Sequence, residues 1–306
     1  MHFRTDEHRR RGSSTGNTVL VDGMLRVLKD GAGQLSPSGR TMKRSLLVLV
    51  TLSLTTGQLS LAAEFKRVIC EGTYTHHLQG VCTDEREAIF WCFTSKLVKT
   101  DTTGKVIRQI DVAKHHGDLC FHNGTVYVAV NLGKFNDPQG NADSWIYAYD
   151  SDDLALVAKH RIPEVFHGAG GIAFHDDTFL VIGGLPTGVA ENFVYQYSRD
   201  FQFVKKHVLA SGHTLLGIQT AAFSKGSWWF GCYGKPAVLL KVDPSLKKVQ
   251  RFEFDCSLGI VPLGGGRFLV ARGIFVKDKG YTGRLVIAEA EPVQGLAVIP
   301  EGASAQ

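Results

Sequence analysis

The sequence predicts a β-propeller, five four-stranded blades in a ring, and three observations carry that prediction. A unit of four short apolar runs recurs along the chain. The anchor residues of successive units, Gly80, Asp118, Gly171, Thr220 and Gly259, are 38, 53, 49 and 39 residues apart, about 45 per unit. That is the length of one four-stranded propeller blade. No segment sustains a helical apolar period, while the runs are short, β-branched or aromatic, and bounded by Gly, Asp, Asn and Ser.

The chain of 306 residues begins with a basic stretch that includes Arg9-Arg10-Arg11 and has the composition of a disordered leader. Met42-Lys43-Arg44 then precedes an apolar run from Ser45 to Leu61, and Ser60-Leu61-Ala62 supplies small residues at the spacing of a cleavage site. This reads as a secretory signal over 42–63, with 1–41 an upstream extension. A membrane anchor is the rival reading, disfavoured because Gly57 and Gln58 interrupt the run. A single domain is expected over 64–295, with a tail over 296–306, and the protein is expected to be exported, periplasmic or extracellular.

Within the domain the first unit is Gly80–Thr83, Ala88–Phe93, Lys96–Asp101 and Val106–Asp111. The second is Leu119–Phe121, Val126–Val130, Trp145–Asp150 and Leu154–Arg161; the third is Ile172–Phe174, Phe179–Gly183, Phe193–Ser198 and Phe203–Leu209. The fourth is Ala221–Phe223, Trp228–Cys232, Val238–Val242 and Val249–Phe254. The fifth holds three runs, Ile260–Pro262, Phe268–Ala271 and Arg284–Ala288, and the lone run Phe65–Glu71 is expected to supply its missing strand, closing the ring. A β-sandwich is the competing all-β architecture, but it does not account for the repeating four-run unit.

Charge and cysteine narrow the function. The net charge of +5 arises in residues 1–44; the remainder holds 25 basic and 25 acidic residues, which argues against a nucleic-acid partner. Six cysteines, Cys70, Cys82, Cys92, Cys120, Cys232 and Cys256, could form disulfides in an exported chain, or act as small buried apolar residues. No CxxC, GxSxG, P-loop or HExxH is present.

Segments such as Leu97-Val98-Lys99-Thr100-Asp101-Thr102-Thr103-Gly104-Lys105 and Trp145-Ile146-Tyr147-Ala148-Tyr149-Asp150 carry a family likeness. The repeats resemble the bacterial YVTN, NHL and gluconolactonase-like propellers, whose third strands run from alternating apolar residues and Asp into a Gly-Lys turn. The resemblance implies the fold. The metal set of the gluconolactonase-like enzymes has no counterpart here, so that activity is not implied.

One face of such a ring carries the links between strands 2 and 3 and those leading into each strand 1. Here that face holds three long links, 131–144, 184–192 and 273–283, and the histidines His76, His77, His115, His116, His167 and His213. Long loops on a rigid scaffold commonly carry function. His77, His116, His167 and Gln219 are expected to converge at the axis, a donor set suited to a divalent metal, with manganese, zinc and calcium not distinguished. The set is similar in ligand type to the manganese site of oligogalacturonate lyase propellers, an analogy of chemistry and not of descent. His116 with Asp118 is the candidate acid/base pair. Asn131, Tyr233 and Arg272 are candidate ligand contacts, Arg272 for its planar fork. The expected function is binding of a small polar or acidic ligand, carbohydrate-derived among the options, and its cleavage in the manner of a metal-dependent lyase or hydrolase. The alternative is a non-catalytic propeller holding a protein or glycan. Each histidine also has a structural reading, as a hydrogen-bonded residue fixing a loop.

Overall fold

The computed structural model describes residues 67–84 and 86–300, so the leader and signal segment expected over 1–63 lie outside the described residues. Every regular element described is a strand. Blade 1 comprises β1 (Leu78–Thr83), β2 (Ala88–Phe93), β3 (Lys96–Asp101) and β4 (Val106–Asp111), and blade 2 comprises β5 (His116–His122), β6 (Thr125–Asn131), β7 (Ser144–Asp150) and β8 (Leu156–Arg161). Blade 3 is β9 (Ala169–His175), β10 (Thr178–Gly183), β11 (Asn192–Ser198) and β12 (Phe203–Leu209). Blade 4 is β13 (Leu215–Ser224), β14 (Ser227–Tyr233), β15 (Val238–Val242) and β16 (Val249–Glu253). Blade 5 is β17 (Ile260–Gly264), β18 (Arg267–Val276), β19 (Gly280–Glu291) and β20 (Gly295–Val298). Each is a four-stranded antiparallel sheet in chain order, and together they form the five-bladed propeller.

Burial falls outward within each blade. β1 and β2 are buried throughout, whereas β4, β8, β12 and β16 are mostly exposed. The apolar core is five clusters, one between each pair of neighbouring blades. Trp91, Trp228 and Trp229 are buried there, and the Trp91 indole N–H donates to Thr100 Oγ1 at 3.0 Å. All six cysteines are free thiols, five fully buried, so packing and not cross-linking is their role.

Closure differs in detail from the expected single N-terminal strand. β19 is twelve residues long, and its outer side is shared. Its second half pairs with β20, Ala288 opposite Val298 through Glu291 opposite Gly295, so the outer strand extends past residue 295, where the domain was expected to end. Its first half is covered by the N-terminal segment: Cys70 N–H donates to Gly283 O at 2.9 Å, Leu285 N–H to Val68 O at 2.8 Å, and Tyr74 and Tyr281 exchange two backbone bonds at 2.7 and 2.8 Å.

The link expected over 273–283 is also not a loop. Ile274, Phe275 and Val276 pair with Thr282, Tyr281 and Gly280, continuing β18 and β19 as a two-stranded arm. Ile274, Phe275, Val276, Tyr281 and Thr282 are strong strand formers, and Asp278 and Gly280 take the left-handed backbone that a tight turn requires, at φ of 62° and 111°. Among the described residues no helix is long and apolar enough to cross a membrane.

Candidate functional site

The innermost strands begin irregularly, and the site starts there. The β1–β2 register slips between Leu78 and Gly80, leaving Gln79 in a bulge. The β5–β6 register slips between His116 and Leu119, the β9–β10 register between Gly171 and Ala169, and the β13–β14 register on both sides of Ile218. Bulges re-aim side chains and free backbone where they occur. The bulge residues Gln79, Gly117, Gly170 and Gln219 line a cavity of about 160 Å3 on the face that carries the links. Its walls include His77, His115, Phe135 and Tyr233.

Three polar side chains meet on one side. The Gln79 amide nitrogen donates to Thr94 Oγ1 at 3.0 Å, and His77 Nε2 accepts from it at 3.0 Å, which places the His77 proton on Nδ1. His115 Nε2 is 3.5 Å from the same nitrogen. Burial, then the neighbouring His76, holds His77 below its ordinary range; burial, then His77, Lys114 and His76, does the same to His115. Both imidazoles are therefore neutral at pH 7. Across the cavity the Gln219 amide nitrogen donates to Leu216 O at 2.8 Å and Gly217 O at 3.3 Å, which turns its carbonyl oxygen outward. Burial, with Asp255 and Asp118 nearby, pushes the Tyr233 hydroxyl up to about 12, so it stays a donor. Phe135 reaches in from the β6–β7 link and stacks near His115, ring centroids 6.5 Å apart.

Of the residues expected at the axis, His77 and Gln219 line this cavity, as does Tyr233, expected as a ligand contact; His116, His167, Asn131 and Arg272 do not. His116 is fully buried between blades 1 and 2, with Nδ1–H donating to Ala113 O at 2.6 Å and Nε2 accepting from Tyr149 OH at 2.8 Å. His167 donates from Nδ1 to Asp137 O at 3.0 Å and pins the β6–β7 link. Asn131 clamps both ends of that link, donating to Gly133 O at 3.0 Å and accepting from Asp143 N–H at 3.0 Å. Arg272 bonds the backbone oxygen and faces the carboxylate of Asp255. Among the described residues no three His, Cys, Asp or Glu side chains are grouped to hold a metal.

Asp118 sits below the cavity floor. Its carboxyl is 2% exposed, receives backbone N–H groups of Leu119, Ala221 and Val81, and leaves Oδ1 without a hydrogen-bond partner. Burial raises its pKa well above the usual carboxylate range. It is not paired with His116, both of whose ring nitrogens are taken. A second cavity of about 270 Å3 lies on the other side of this carboxyl, ringed by Phe121, Phe174 and Phe223; its one histidine, His175, is stacked 3.5 Å from Phe223.

No protein-family profile and no curated sequence matches the chain. Solved structures do. The glutaminyl cyclase of Myxococcus xanthus aligns over 77% of this chain and 99% of its own, at 12% identity and a TM-score of 0.50. A protein of unknown function from Bacteroides caccae aligns over 73% and 90%, at 11% identity and a TM-score of 0.46. BamB from Moraxella catarrhalis aligns over 73% of each chain, at 15% identity and a TM-score of 0.37. Of these three only the first reaches a TM-score of 0.50, and at 12% identity it shows the propeller fold alone.

Sequence reading missed Gln79, His115 and Phe135. The signal for Gln79 was present: it precedes the anchor Gly80 as Gln219 precedes the anchor Thr220.

Proposed function

We propose that the chain is an exported propeller that binds a small polar ligand in the axial cavity. The ligand contacts are His77, Gln79, His115, Gln219 and Tyr233. The observation that carries the reading is the convergence of two neutral imidazoles, two carboxamides and a phenol from blades 1, 2 and 4 on one recess. Concave sites with a few placed polar groups are the usual form of small-ligand sites. Gln79 and Gln219 sit on bulges, and His77, His115 and Tyr233 at the ends of strands, which keeps the set ordered before binding and lowers the entropic cost of association. Export rests on the segment 42–63.

The test is a calorimetric or NMR screen of the mature chain against polar metabolites, repeated for His77→Ala and Gln219→Ala. A ligand whose affinity falls tenfold or more in both variants is the expected result. Ligands that ignore both variants would sink the reading. Of the expected metal set of His77, His116, His167 and Gln219, two members, His77 and Gln219, line the cavity, and the metal form of the proposal draws on these with the neighbouring His115. Running the screen with and without chelator tests that form of the proposal, and with it a metal-dependent lyase or hydrolase.

A second reading, a propeller that holds a protein, draws on exposed Leu132, Phe166 and Leu215 on the same face. Retention of a protein partner by the double variant His77→Ala/Gln219→Ala would favour it.

A further inference from the structure

The β18–β19 arm stands beside the cavity and has no counterpart in the other blades. β18 and β19 are 10 and 12 residues long, whereas the second and third strands of blades 1 to 4 have five to seven. Phe275 on this arm is 65% exposed. It does not stand alone: the Phe275 and Tyr281 rings are 5.2 Å apart, and Tyr281 meets the His77 ring edge-on at 6.2 Å. The aromatic surface is thus continuous from the arm to the cavity wall. The paired backbone of Tyr74 and Tyr281 braces it from behind.

The charge of the cavity excludes one class of occupant. No Lys, Arg, Asp or Glu lines it, and both its histidines are held neutral. A carboxylate or phosphate buried there would lose its hydration with no counter-charge, a cost of several kcal/mol or about a thousandfold in affinity. A ligand rich in hydroxyls fits better. It can donate to the Gln219 carbonyl, accept from the Tyr233 hydroxyl, and do either with the Gln79, His77 and His115 group. A sugar ring adds an apolar C–H face, which an exposed aromatic ring covers.

Building on the axial-cavity reading, we infer that the ligand is a neutral saccharide of at least two residues, with its terminal ring in the cavity and the next ring stacked on Phe275. The arm sets the length preference and the uncharged cavity sets the preference against uronic or phosphorylated sugars.

The test titrates the mature protein with neutral gluco-, galacto-, manno- and xylo-oligosaccharides of one to four residues and with their uronic counterparts, using wild type, Phe275→Ala and His77→Ala. Disaccharides are expected to bind more tightly than the monosaccharide, and Phe275→Ala is expected to erase about three- to tenfold of that gain while leaving the monosaccharide affinity unchanged. His77→Ala is expected to weaken every length. A length gain that survives in Phe275→Ala, or a uronate bound more tightly than its neutral counterpart, overturns the inference. Should only non-saccharide ligands bind, with loss in His77→Ala, the saccharide assignment fails and the cavity reading stands. Saccharide binding indifferent to His77→Ala removes the cavity reading itself.

Discussion

His116 and Asp118 are two residues apart on one strand and bind protons in opposite senses. Burial pulls the His116 imidazole from 6.5 down to about 4, helped by the neighbouring His115 and Lys159 and only partly opposed by the bond to Ala113 O, which favours the charged ring. The unfolded chain therefore takes up a proton that the folded chain resists. The His116 contribution is fully present above pH 6.5 and is lost as pH falls toward about 4, to the extent of about 3 kcal/mol at most. Urea denaturation across that window should show stability falling with acid. His116→Leu should flatten the slope while losing about 1–3 kcal/mol at pH 7 through the unpaired Tyr149 hydroxyl and Ala113 carbonyl. Asp118 has its folded pKa raised instead. Its contribution is present below the ordinary carboxylate value of 3.8 and is lost as pH rises above it. Asp118→Asn, which cannot ionise, should accordingly gain on the wild type between pH 4 and pH 8; a stability difference that stays constant across that range would contradict the buried-acid assignment. Gly80 belongs to the same account, since a Cβ there would collide with the Asp118 carboxylate.

At the level of the element, strands and turns were readable because each blade repeats one pattern of apolar alternation ended by turn residues. Asn123, Asp176 and Lys225 all take φ of 47° at the predicted turns. The site was readable only in part, and the bulges explain why. Period-two reasoning assigns faces correctly while the register holds, and one extra residue reverses every assignment beyond it. The slip between His116 and Leu119 sends His116 into the blade interface while His115 lines the cavity. The arm was misjudged for another reason: Gly273, Gly280 and Gly283 resemble a loop in composition, yet they are strand residues that pair or turn. The β6–β7 link is a true loop held by backbone bonds and by side chains, and Asn131 joins its two ends. Asn131→Ala should cost about 1–3 kcal/mol. It should also make residues 132–143 the first site of limited proteolysis, with weaker ligand binding because Phe135 loses its position. Unchanged cleavage and affinity would show that the backbone bonds of the link and the His167 contact fix the loop without Asn131.

At the scale of the whole molecule, closure and ligand recognition are coupled through the two chain segments that share β19. Leu296 on β20 is buried in the cluster between blades 4 and 5, far along β19 from the cavity. Val68, Cys70 and Tyr74 are buried in the cluster between blades 5 and 1, and Tyr74 also pairs with Tyr281 on the arm. Both segments cover an otherwise open strand edge, so losing either should lower the melting temperature by several degrees, as the loss of buried apolar groups and a ladder of hydrogen bonds requires. Their effects on binding should separate. A chain ended at Glu291 keeps the arm and its brace, and it should bind with wild-type affinity once the temperature is low enough for it to be folded. A chain begun at Thr75 keeps β20 but loses the backing of Tyr281, so Phe275 and the His77 wall are no longer held before the ligand arrives. Its affinity should fall even where circular dichroism shows it fully folded, because ordering the arm then becomes part of the binding cost. Thermal melts and titrations of the two truncated chains at one low temperature decide the matter. Equal affinities would mean that the N-terminal segment closes the ring and does nothing for the site.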